Sequence, residues 1–521
     1  MTSKLFSTLA VEFWRIISNR NWNHFSRQTQ HHVRSRFTLK TALLILVTTA
    51  LQVDLPKPAT PSDAVGWALA DLVSLPESDR PFVRYVWIPP WGNDDWPAAI
   101  NFAVNTAASS SRNLQFGAIV ANGWMMRYDL RRLAPNPTEL IHLQLVWDGL
   151  AVDDPYFHVP RDNSGLAVAV LAPHLSQQHA AALADLSWST GAIYRADWFL
   201  SRMLTTLDGG RYYDFSGANR AAQVAKSKKG SSAQAEFLAA LGVFEGSTRE
   251  LAADQRAAIF RSGVTGKPRR IDFFNGLQRN AVAITHDVFD EDVGARFHPL
   301  RNLIDFQDRA REVIVQRPNG MHAFALFDAS GALQSSVPDN IARDHTIPAP
   351  HTGRLQPAIG CIRCHGSDDG WKPFGNDVAR ILSSRLDVFG DVGVLGLTRE
   401  EVVDRLAFQY AGQLDVPDGP VGRARRDYSA AVYRIATSVK PLAVDVKPVP
   451  MLSDLIGSIH AQYRYDLVTP ERAALELGAR SIEDVIEKMG TGPVDPIAGM
   501  LISGIPINRR DFEQIYADMV K

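Results

Sequence analysis

Two thiols and an imidazole stand together at Cys361-Ile362-Arg363-Cys364-His365, and the chain has no other cysteine in its 521 residues. Two residues between the cysteines and a histidine directly after the second make the c-type haem attachment pattern. The spacing has a chemical reason. Two thiols must reach the two vinyl groups of one haem, and a short turn fixes their separation. The following residue then lies under the iron, where His365 can serve as proximal axial ligand.

Other uses of a Cys-x-x-Cys pair are open to comparison. A thioredoxin-like redox pair wants a strand before it and a helix starting at its first cysteine. Here the lead-in is Arg354-Leu355-Gln356-Pro357-Ala358-Ile359-Gly360, and a glycine-rich Gly366-Ser367-Asp368-Asp369-Gly370 follows. A structural zinc site needs about two further ligands, and nearby only His345 and His351 offer them. A plain disulfide across two residues closes a strained loop. One covalent haem c is the expected cofactor, attached at Cys361 and Cys364. Gly360 and Gly366 would let the backbone approach the macrocycle, and Trp371 and Phe374 would pack on its edge or belong to ordinary core.

The sixth ligand decides the chemistry: a second strong ligand suits electron transfer, whereas an open position admits small ligands. Met451, in an expected extended proline-rich loop Lys447-Pro448-Val449-Pro450-Met451, is the candidate sixth ligand. Met489, Met500, His322, His345, His351 and His460 are its rivals. A peroxidase-like enzyme would instead want a distal acid–base group, for which His286-Asp287 and Arg354 are at hand, although no spacing points to them. The leading expectation is electron transfer with a redox partner protein. The alternatives are a haem enzyme and a haem-based redox or gas sensor.

Around this motif the chain reads as α+β. With roughly 100–200 residues per domain, its length suits several domains. Residues 1–53 read as a leader, 54–262 as a mixed α/β N-terminal domain, 263–340 as a β-rich segment, and 341–521 as a mainly helical, cytochrome c-like haem domain. Composition is that of an ordinary globular protein, 45% hydrophobic and 21% charged, with net charge −1. That balance gives no general electrostatic case for nucleic acid or an anionic membrane surface. Residues 37–53 carry an apolar run, Thr41 to Leu51, behind Arg34, Arg36 and Lys40. Short of about 20 residues, it resembles a signal-peptide core more than a span. Its flanks give a poor cleavage site, so an uncleaved membrane anchor, or a true start nearer Val33, is the other reading. Either way the expected location is the periplasm or the membrane facing it.

The local signals are uneven. Residues 54–66 read as a proline-rich linker, 82–88 and 124–130 as strands, and 98–108 as a helix. Helices are expected over 166–186, from 194, and over 232–241 and 252–260. Trp67, Trp87, Trp91, Trp96, Trp124 and Trp147 read as core or rim anchors, or as a sugar- or quinone-binding groove. The pair 312–316 and 322–328 around Pro318-Asn319-Gly320 predicts a hairpin. Helices are expected over 377–385, over 398–410 behind the capping box Thr398–Glu401, over 421–438 and 452–463, from Pro470, and over 509–520. No phosphate-binding glycine loop, nucleophile elbow or His-Glu-x-x-His is present.

Several pieces together resemble a family of large bacterial single-haem proteins with a cytochrome c-type motif. They are Arg127-Tyr128-Asp129-Leu130-Arg131, Asp154-Pro155-Tyr156 and Arg195-Ala196-Asp197-Trp198-Phe199, then Arg317-Pro318-Asn319-Gly320, Ala329-Ser330-Gly331, Val337-Pro338 and Arg343-Asp344. Glu476-Leu477-Gly478 and Arg510-Asp511-Phe512-Glu513 complete the set. The resemblance spans roughly 80 to 510 and implies an exported haem protein without implying a reaction. Between the cysteines this chain has Ile362-Arg363, at positions that tolerate variation. Arg195 and Asp197 are expected to be surface or structural partners, not catalysts.

Overall fold

A computed structural model describes residues 60–157, 189, 191–241, 256–259, 262, 265–275, 281–289, 291–292, 294–349, 351, 353–366, 370, 397–398, 400–401, 404–405, 419–439, 448–489 and 495–520. All belong to one compact unit, Lys57–Lys521. The expected leader with its 37–53 anchor, the helices over 166–186 and 377–385, and Trp371 and Phe374 lie outside the described residues. No helix among the described residues is long and apolar enough to cross a membrane. The architecture is α+β. One hydrophobic core runs through all three stretches set apart in the sequence, 54–262, 263–340 and 341–521.

The first helix, α1 (Pro61–Ser74), starts inside the expected linker. Thr60 and Asp63 form a reciprocal capping box, and Pro61 sits at the first helical position. Both devices satisfy or remove amide donors that have no partner inside a helix. A small mixed sheet follows, in the order β2 (Ala118–Val120), β3 (Met125–Asp129), β1 (Val83–Trp87), β4 (Ile193–Arg195); β4 runs parallel to β1 and the other pairs are antiparallel. Trp87, Trp96 and Trp147 are buried, and Trp67, Trp91 and Trp124 pack partly buried against the core. The tryptophans are therefore anchors. The chain from 194 is strand β4 before it turns into helix, because Ile193 to Arg195 complete the sheet edge beside β1.

Helix α2 (Trp96–Ala107) is buried on every side. Its polar Asn101 and Asn105 are satisfied internally: Asn101 Oδ1 accepts from Gly117 N and Tyr128 OH, and Asn105 bonds the backbone of Asn101 and Gln115. Helices α3 (Leu130–Leu133), α4 (Pro137–Val152), α5 (Ala196–Met203), α6 (Tyr212–Ser216), α7 (Ala218–Ser227) and α8 (Ala233–Ala240) complete this half.

The second sheet is a six-stranded antiparallel meander: β5 (Arg256–Ile259), β6 (Arg269–Asn275), β7 (Ala281–Asp287), β8 (Ala310–Gln316), β9 (His322–Asp328) and the short β10 (Leu333–Gln334). The expected hairpin is β8–β9. The helix expected over 252–260 is instead strand β5 at Arg256–Ile259: pairing with β6 overrides the helical preference of its alanines. The β9 edge beyond β10 is covered, since Phe324 N–H and Leu326 N–H donate to the hydroxyls of Tyr212 and Tyr213 on α6. The hairpin turn also ties this sheet to α2. Arg317 donates to the carbonyls of Ala107 and Ser109, and Asn319 to that of Asn105, so a buried cation closes the negative end of the helix.

Register fixes the two faces of the meander. Glu312, Ile314 and Gln316 share one face with Leu326, Phe324 and His322, while Arg311, Val313 and Val315 share the other with Phe327, Ala325 and Ala323. The first face receives α9 (Ile359–His365), the helix of the cysteine motif, and α10 (Pro420–Thr437). The second packs against α8, with Phe237 on Phe327. Beyond 341, the described elements apart from isolated bridges are helices: α9, α10, α11 (Pro448–Arg464), α12 (Pro470–Glu476), α13 (Ile482–Met489), α14 (Pro496–Ile502) and α15 (Arg509–Val520). The Thr398–Glu401 capping box forms as its residue types require.

Candidate haem-attachment site

The motif lies wholly within α9. Positions i, i+3 and i+4 of a helix share one face, so Cys361, Cys364 and His365 make a single stripe. A tight turn sets the helix on its course. Ala358 has φ 62° and ψ −80°, and Ile359 N–H donates both to Pro357 O and to Leu204 O. That is the strained three-residue turn, rare for a residue with a Cβ, and strain of this kind persists where the surroundings over-determine it. Here Ala358 is fully buried. The far end of α9 is held as closely. A Cβ on Gly366 would collide with the Ile362 carbonyl and meet Ser453 Cβ at 3.0 Å. Gly366 therefore admits α11 rather than opening space for a ligand, whereas Gly360 lines the space beside the cysteines.

That space is a small cavity of about 60 Å³, partly open to solvent. Cys361, Cys364 and His365 all line it, opposite apolar groups that include Leu326, Val337, Ile341 and Leu355. The expected Val337-Pro338 segment thus forms part of its wall. Charge is confined to Arg269, Asp287, Arg311 and Glu312. Both thiols are free of disulfide. Cys361 is buried, and its Sγ–H donates to Glu312 Oε1 at 3.1 Å. Burial first, and then the neighbouring Glu312 charge, push this thiol well above its ordinary value. The same Oε1 stands 3.9 Å from His365 Nε2. The His365 ring lies 6.3 Å from that of Phe324. Two thiols and an imidazole on one helix face, beside an apolar wall, are the chemistry that thioether attachment of a macrocycle requires. Among the described residues no group of three or more His, Cys, Asp or Glu could hold a bare metal ion.

The other candidates are elsewhere. Met451 is not in an extended loop but in the first turn of α11. Pro448 and Pro450 start that helix instead of preventing it, because a first turn needs no amide donors from them. Met451 is half-buried and does not line the cavity. Met489 ends α13, and Met500 is exposed on α14. His322 is buried and stacked on Tyr428 at 4.3 Å. Burial, followed by the nearby His365, drives its pKa well below the ordinary value. His351 packs on Tyr465, and His460 Nδ1 lies 2.9 Å from Ser201 Oγ. His345 follows Arg343 and Asp344 in the stretch bridged to Arg354. Met451, Met500, His322, His345, His351 and His460 are not among the residues that line the cavity, and His365 is the only histidine among the described residues that do.

Of the groups considered for acid–base work, Asp287 borders the cavity but is paired with Arg269 at 2.7 Å. His286 points to the opposite sheet face, clamped between Asp308 (2.6 Å) and Asp272 (3.1 Å). Arg354 is half-exposed, 3.8 Å from Asp339. Sequence reasoning passed over Glu312. Its signal was there: one carboxylate on the inward register of a strand otherwise built from Val313, Ile314 and Val315.

A second cluster gathers many of the pieces that carry the resemblance. Arg195 donates to Asp197 and Glu476, each at 2.7 Å, and Arg509 and Arg472 also donate to Glu476 at 2.6 Å. Arg195 lies 3.7 Å over the Tyr156 ring, and Tyr463 OH donates to Glu513. Arg195, Asp197, Glu476 and Arg509 are all buried, so Arg195 and Asp197 are interior partners and not surface ones. Burial alone would raise the Glu476 carboxyl, but Arg195 and Arg509 outweigh it and hold it far below the carboxylate range. The cluster joins β4 and α5 to α12 and α15.

Comparison with known protein families, with curated protein sequences and with solved structures gave no match.

Proposed function

We propose that this protein is an exported c-type haem protein, with one haem attached through Cys361 and Cys364 and His365 as proximal ligand, acting in electron transfer with a partner protein. The observation that carries the reading is the shared stripe of Cys361, Cys364 and His365 along one wall of an apolar cavity. When bound, the haem supplies one-electron exchange at its iron. The chain's residues do the rest. The helical spacing of the thiols sets their separation. Phe324 and the β8–β9 face hold the imidazole. Val337, Ile341 and Leu355 exclude water from the macrocycle and so favour a buried, tunable iron. A helical haem domain after 341 belongs to the same reading, as does export through residues 37–53.

A second reading, a haem enzyme or gas sensor with an open sixth position, is favoured by one observation: among the described residues no methionine and no second histidine line the cavity. The test is to produce the full chain with a haem-attachment system and record its spectrum oxidised, then reduced with and without carbon monoxide. Low-spin bands indifferent to carbon monoxide support the electron carrier. Immediate carbon monoxide binding moves the assignment to the second reading. Absence of attached haem overturns both.

A further inference from the structure

A larger cavity, of about 570 Å³ and partly open to solvent, lies between α4, α6, α7 and α8. It shares no lining residue with the cavity beside α9. Its volume is in the usual range for a small-molecule site. The walls are mainly apolar, built from groups such as Ala108, Leu143, Phe215, Ala221, Val224 and Leu241. Arg317 reaches this cavity from the β8–β9 turn and is only 4% exposed. It donates to Ser109 O at 2.9 Å and to Ala107 O at 3.3 Å, and its buried Nε has no hydrogen-bond partner among the described residues. Carbonyls share its charge but supply no full negative one. Burial lowers its pKa, and the neighbouring Tyr212 and Glu139 do not make up the difference. Arg220, on the exposed side of α7, lines the same cavity. Among the described residues no carboxylate forms an ion pair with either arginine.

The carboxylates on the cavity wall do not cancel these cations. Glu236 is paired with Lys228 at 2.7 Å. Glu139 accepts from Ser110 Oγ and has no ion pair among the described residues. His142 adds no charge at neutral pH, because burial first and then Arg220 lower its pKa below the ordinary 6.5. With Glu236 matched by Lys228, two arginines face one carboxylate, a surplus of one positive charge. A buried cation short of an anion is costly, and a cavity beside it gives a compensating anion room to enter. A surplus of one suits a carboxylate better than a phosphate ester, which carries nearly two negative charges at neutral pH. The apolar walls suit a hydrocarbon body. We propose that this cavity binds a small monocarboxylate with an apolar body, its head group at Arg220 and Arg317 and its body against α4, α7 and α8.

The test titrates the full chain calorimetrically at neutral pH with decanoate, and with decanol as an uncharged control of the same length. Decanoate binds, and decanol binds more weakly by about tenfold or more, the equivalent of one lost charge-assisted hydrogen bond. R220Q, a change at an exposed position, weakens decanoate by about tenfold and leaves decanol unchanged. A239W places an indole in the cavity from a half-buried position on α8 and abolishes the binding of both. Thermal unfolding without ligand shows whether each variant is folded, and R220Q decides if A239W is not. A wild-type chain that does not bind decanoate overturns the proposal. Equal affinity for decanol does the same, as does decanoate binding unchanged in R220Q or in folded A239W.

Discussion

The cluster around Glu476 and the wall around Cys361 lie in the same continuous core, yet they are built oppositely. Around Glu476 three arginines converge on one buried carboxylate, and Tyr156 covers Arg195. Around Cys361 a buried thiol, an imidazole and the Glu312 carboxylate line a cavity beside an apolar wall. The difference separates architecture from a site. Charges that satisfy one another bind distant segments together. Around Cys361 the reactive groups line a cavity instead, and a strained Ala358 turn backs their helix.

The largest effect should come from emptying the first region. Glu476→Ala leaves Arg195 and Arg509 buried with too few anions, a situation that costs about 3–5 kcal/mol. Denaturant unfolding of the full chain should show that loss, and a change under about 1 kcal/mol would mean the cluster is not architectural. Asp154, beside it, carries a carboxyl raised to about 7 by burial, against the pull of its bonds from Tyr156 N–H and Phe157 N–H. Its folded pKa lies above the ordinary 3.8, so wild-type stability is full below about pH 4 and falls as pH rises to about 7. Asp154→Asn should therefore match wild type at pH 4 and exceed it by on the order of 3 kcal/mol at pH 8. Equal stability at both pH values would contradict the burial argument.

Asp308, on the sheet face away from the cavity, has the opposite sign. Burial would raise its carboxyl, but bonds from His286 and Arg311 hold it at about 2. Its stabilisation is present above about pH 4 and lost as pH falls towards 2. Asp308→Asn should remove about 2 kcal/mol at pH 7 and flatten the acid limb of the stability curve. The smallest effect belongs to the cavity wall. In protein prepared without haem, Cys364→Ser should change stability by no more than about 0.5 kcal/mol, since this thiol is half-exposed. A loss of several kcal/mol there would make the motif structural.

The sequence made some of this legible and hid the rest for physical reasons. The cysteine motif, the β8–β9 hairpin with its Asn319-Gly320 turn, and the long helices near the C-terminus are local signals. Strand β5 was hidden because Ala257 and Ala258 prefer helix until β6 pairs with them. The helix containing Met451 was hidden because Pro448 and Pro450 read as breakers, although they occupy a first turn. The Glu476 cluster joins residues from 195 to 509, a separation no periodicity reports. Glu312 belongs to a strand whose alternation was visible, but its neighbours across the cavity were not.

The central claim is that Cys361 and Cys364 hold one haem covalently. It is tested most directly by producing wild-type chain and a Cys361→Ser, Cys364→Ser double variant with a haem-attachment system. Both are stripped with acidified acetone, and intact masses are measured. Wild type should carry the added mass of one haem and the variant none. A wild-type chain that leaves the solvent at its bare polypeptide mass would contradict it.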